Sequence, residues 1–159
     1  MGGRRAAGGA SGYAHLHVRS GFSYRFGVAF PEELAEAAAS MGMGSLAIAD
    51  RDGLYGVPRF LWVAEETGIS PVVGAEVSVE GGGHLVLLAE SMAGYRSLCR
   101  LITAYRCSSE DRRRPLCPLQ TVLENPWGLV CLTGAVPSAS SLARCSARRR
   151  AGLPPRGAL

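Results

Sequence analysis

Apolar and polar positions alternate along "YAHLHV" (13–18), which predicts a strand with every second side chain on one face. "PEELAEAAASMGM" (31–43) carries apolar residues at helical spacing. Pro31 sits in its first turn, acids come early and Gly42 lies at its end, so a helix is predicted there. "SLAIAD" (45–50) is a short apolar run closing on a carboxylate, which reads as a buried strand. "PRFLWVAEETG" (58–68) predicts a second helix, again closed by glycine. "ISPVVGAEVSVE" (69–80) reads as a strand pair or one bent strand, and "GGGHLVLLAE" (81–90) as a turn continuing into a strand. A third helix is predicted over 91–105, a short one over 118–125, and a last strand over 128–134.

Strands therefore alternate with helices, which predicts an α/β layout with a mostly parallel sheet. In such folds chemistry collects where strands end. The polar residues of this chain stand there. His17 and Arg19 follow the first strand, Asp50 to Asp52 the second, and Glu76 lies near the third. His15, His17 and Arg19 share one strand face by alternation. Glu76 sits in an apolar strand, and a buried carboxylate needs a charged partner or a metal.

Composition adjusts this picture at the two ends. All 17 basic residues are arginine. Between Tyr13 and Ile102 there are 6 Arg against 10 acids, and beyond Ile102 there are 9 Arg against 3. The net charge of +4 thus belongs to the ends and not to the body. Residues 1–12 read as a disordered leader and 138–159 as a basic, disordered tail. The tail has arginines able to meet phosphates but no interleaved aromatics, so it predicts at most weak DNA contact. The five cysteines form no CxxC pair, which points to reduced thiols, a cytoplasmic setting and no zinc knuckle. No apolar run reaches a membrane span.

The segments "YAHLHVRSGFSY", "PEELAEAAASMGMGSLAIADRDGLYGVPRF", "GISPVVGAEV", "HLVLLAESMAGYRSLCRLIT" and "GLVCLTG" occur in order with fitting gaps. Together they resemble the start of the PHP (polymerase and histidinol phosphatase) domain of bacterial DNA polymerase III alpha subunits, of the error-prone type. The resemblance covers residues 13 to 136, with the incomplete domain placed at 13–137. It implies a partial or distorted (βα)7 barrel with a multi-metal site.

The resemblance also assigns ligand positions. His17, Glu76 and His84 match them. Arg19 stands where a second histidine belongs, Arg51 where the histidine of a "TDHDG"-like element belongs, Phe26 where an aspartate belongs, and Ala135 in place of a cysteine. Arginine stays protonated and cannot donate a lone pair to a metal. The remnant ligands are therefore expected to be metal-free, with zinc or manganese the ions a residual site would take. Arg19 and Arg51 are expected to form a charge cluster with Glu76, Asp50 and Asp52 in place of the metals, through bidentate contacts.

The chain carries none of the downstream polymerase regions that the resemblance implies. The expected role is that of an N-terminal domain fragment, structural in replication or repair synthesis, with other polymerase regions or repair proteins as partners. The alternatives are a free-standing PHP-type metal-dependent phosphoesterase, and a small nucleic-acid- or protein-binding module that uses the basic tail.

Overall fold

The computed structural model describes residues 12–124 and 127–133. The expected leader, the basic tail and Ala135 lie outside the described residues, apart from Gly12. The elements run β1 (His15–Val18), α1 (Pro31–Ser40), β2 (Ser45–Arg51), α2 (Val57–Thr67), β3 (Ser70–Ser78), β4 (His84–Ala89), α3 (Met92–Ser108), α4 (Leu119–Glu124) and β5 (Leu129–Thr133). Each predicted element is present. The 69–80 stretch resolves into the single strand β3, not a pair.

The five strands form one sheet in chain order. β1, β2 and β3 are parallel, each pair spanned by a helix. β4 is antiparallel to both β3 and β5, so the mostly parallel expectation is corrected on that half of the sheet. The cause is local. Gly81, Gly82 and Gly83 all take positive φ, which only glycine adopts freely, and they turn the chain straight back after β3 without a crossover helix.

Strand alternation sorts the side chains. On the helix side, Leu46 and Ile48 pack with Ala35, Ala38, Phe60 and Val63 of α1 and α2. Ala75, Val77, Leu85 and Leu87 pack under Leu98, Leu101 and Tyr105 of α3. On the opposite face Ala47, Ala49, Val86 and Leu88 form a separate apolar floor with Val130 and Leu132. Two apolar faces on one sheet, with the described helices on one side, are what a partial barrel requires: the second face becomes the barrel interior. Residues one step further along on that interior face are Arg51 on β2, Glu76 and Ser78 on β3, and His84 on β4. The polar end of the barrel interior is thus built by alternation over an apolar floor.

One contact locks α3 to the sheet. A Cβ on Gly94 would collide with the Gly128 carbonyl oxygen, so α3 starts in direct backbone contact with the entry to β5. Ser91 caps that helix by accepting from the Gly94 amide at 3.3 Å. Among the described residues no helix is long and apolar enough to cross a membrane.

Candidate functional site

Glu76 is the centre of the polar end. Its side chain is 1% exposed, and its register partner on β2 is Arg51. His17 Nε2 donates to Glu76 Oε2 at 2.7 Å. Arg19 places Nε 2.7 Å and Nη2 2.5 Å from the same oxygen. His84 Nε2 lies 3.9 Å from it, and the two imidazole rings stand 5.6 Å apart. Burial alone would raise the Glu76 pKa. The hydrogen bonds from His17 and Arg19, with the charges of Arg19 and His84, outweigh it and hold the carboxyl below the usual carboxylate range.

His17, Glu76 and His84, the positions that the resemblance assigns to ligands, therefore converge, with one donor atom from each within 4.8 Å of the others. Arg19 joins them on the one carboxylate oxygen. Its contact is a fork on Oε2 and not the expected two-oxygen bidentate pair.

Of the other expected members of the charge cluster, Arg51 and Asp52 lie beside each other and Asp50 stands apart. Arg51 donates from Nε to Ser78 Oγ at 3.2 Å and lies 3.7 Å from Asp52 Oδ2. Its guanidinium sits 4.4 Å over the ring of Phe26, and that of Arg19 lies 5.5 Å from the same ring. Phe26 thus offers a stacking surface to the two cations. Among the described residues Asp50 meets no guanidinium. It points to the helix side, as alternation from Leu46 and Ile48 requires, and accepts from the Ser20 amide, Ser20 Oγ and Ser23 Oγ at 2.7 to 2.9 Å. Asp52, with φ +50, turns its carboxylate to the Ser78 amide and hydroxyl and to Tyr105 Oη at 2.8 to 2.9 Å. Arg106 donates to the Asp52 carbonyl at 2.8 Å.

Ser20, Ser23, Ser78, Tyr105 and Arg106 were not legible as site partners from the sequence. Ser78 had a signal, being two residues from Glu76 on one strand face. The serines of "SGFS" carried none, because their partner Asp50 is 30 and 27 residues away in β2.

An open groove of about 500 Å³ runs between β1 and α1 and reaches His17 and Arg19, but not Glu76 or His84. The converging groups thus lie at the rim of the concave feature and not within it.

Residues 15–152 match the family described as the PHP domain. The chain belongs to the PHP domain family. Its curated relatives include error-prone DNA polymerases. That of Symbiobacterium thermophilum is 39% identical over 137 residues, covering 77% of this chain and 13% of that protein. That of Mycobacterium tuberculosis is 35% identical over 164 residues, covering 94% and 15%. The PHP chain therefore spans less than a sixth of the curated relatives it matches. Among solved structures, an amidohydrolase from Chromobacterium violaceum, solved with bound sulfate and no metal, is 30% identical with a TM-score of 0.50, over 60% of this chain and 34% of that one. The fold is accordingly a partial PHP-type α/β barrel.

Proposed function

We propose that this PHP domain serves a protein of the error-prone DNA polymerase type as a structural, metal-free unit in cytoplasmic replication or repair synthesis. The observation that carries the reading is the guanidinium of Arg19 on Glu76 Oε2. A divalent ion bound by His17, Glu76 and His84 would share that carboxylate with the guanidinium. It would then stand beside a permanent cation, with a repulsion of roughly 8 kcal/mol between a divalent ion and a unit charge at an effective dielectric of 20 and 4 Å. Arg51 adds a second cation on the same interior face. The donor set therefore does not fit a multi-ion cluster.

The cost of burying Glu76 is met instead by charged hydrogen bonds. Metal-assisted hydrolysis needs a bound and activated water, and a guanidinium supplies none. The relatives' names favour the polymerase context over a free-standing phosphoesterase. Partners on this reading are other regions of the same long protein.

Two assays test the proposal. The purified chain supplied with manganese should not hydrolyse p-nitrophenyl phosphate or a thymidine 5′-ester above the buffer rate. Sustained turnover that Glu76→Gln removes would overturn it. Substituting this chain for the matching segment of the Symbiobacterium thermophilum polymerase should preserve primer extension. Loss of extension in a folded chimera would overturn the structural role.

A further inference from the structure

Residues 19–30 join β1 to α1 and hold a concentration of aromatics unlike the rest of the chain. Three of the four phenylalanines, Phe22, Phe26 and Phe30, lie there with Tyr24. The segment contains Arg19 and Arg25 and no acid.

The loop is firmly held from below. Ser20 and Ser23 are buried and both donate to Asp50. Ser23 Oγ also accepts from the Arg51 amide at 2.9 Å, and the Gly21 amide donates to the Ala29 carbonyl at 2.7 Å, closing the loop at its base. With its base fixed, the loop points its aromatics outward. Tyr24 is 84% exposed, and Phe26 and Phe30 about half. Large apolar side chains left in water on an anchored loop mark a contact surface.

Guanidinium groups frame these rings. Arg19 and Arg51 lie over Phe26. Arg59 lies 5.0 Å from the Phe30 ring and 5.9 Å from that of Phe22. Arg25 sits beside Tyr24 in the left-handed region, with φ +71, and is exposed. The nearby acids are engaged: Glu32 pairs with Arg59, and Glu33 accepts from the Phe30 amide.

We propose that this loop binds single-stranded nucleic acid, bases stacking on Tyr24 and backbone phosphates meeting Arg25. Exposed flat rings interleaved with cations are the surface such strands need, and a preformed loop lowers the ordering cost. A protein partner would use the apolar side chains but has no need of an acid-free, arginine-flanked loop. The surface is separate from the basic tail and does not depend on the metal-free reading.

The test is fluorescence anisotropy of the full 159-residue chain with a labelled oligodeoxythymidylate at low and rising salt. Binding should weaken with salt. It should fall about tenfold in Tyr24→Ala and in Arg25→Asn, the asparagine chosen because it tolerates positive φ. Unchanged thermal melts would show both variants folded, and either one suffices if the other fails to fold. Affinity indifferent to both changes, or lost only on removing residues 138–159, would overturn the proposal. So would a chain that binds no strand but self-associates through Tyr24, which would mark a protein surface.

Discussion

At the residue scale the decisive contact is the guanidinium of Arg19 on Glu76 Oε2. An imidazole there would add a lone pair beside Glu76; the guanidinium adds a fixed charge and two donors. Arg19→Ala leaves a fully buried carboxylate with the His17 hydrogen bond and the more distant His84. It should cost about 1–3 kcal/mol, read from urea unfolding. A value near zero would mean that Arg19 is a bystander. The double change Arg19→His with Arg51→His removes both cations and restores donor atoms. It should bind zinc where the parent does not, which calorimetric titration would read directly. How much of this was legible is clear at single positions. Convergence of His17, Glu76 and His84 follows from strand alternation and the resemblance together. That Asp50 serves the opposite face was implicit in the same alternation. Its serine partners depend on loop geometry that spacing does not encode.

At the element scale the loop after β1 and the helix α3 are each held by one buried carboxylate. Asp50→Ala strips the Ser20 and Ser23 hydrogen bonds and should cost about 3 kcal/mol, with the 19–30 amides losing hydrogen-exchange protection first. α3 reports on high pH. Burial, with the charge and hydrogen bond of Asp52, raises the Tyr105 phenol far above its usual range. Burial, with the charges of Asp52 and Glu80, pushes the Cys117 thiol up to about 12. In the unfolded chain these groups ionise near 10 and 9. Their contribution is full below pH 9 and is lost as pH rises through the folded values. Stability should therefore fall steeply between pH 9 and 12, and less so in Cys117→Ala; a flat profile there would contradict the buried network. The elements were legible because helices and strands here follow local pattern. The direction of β4 was not, because it turns on three successive glycines taking positive φ.

At the scale of the whole molecule, the sheet has two outer strands. Among the described residues β1 pairs only with β2, and β5 only with β4. Open edges invite pairing with another chain. The isolated chain should show concentration-dependent association by sedimentation velocity; a strictly monomeric, cooperatively melting chain would contradict this. The α/β class was readable from the alternation of patterns, since each apolar face demands a covering layer, whereas the partial barrel came only from the family resemblance. The second apolar face, with Ala47, Ala49, Val86 and Leu88, became evident only when the register placed them side by side.

The most direct measurement is the metal content of the purified full chain, by elemental mass spectrometry after incubation with zinc and manganese and removal of free ions. A guanidinium on Glu76 predicts well below one ion per chain for either metal. One or more ions per chain, reduced by Glu76→Gln, would contradict it.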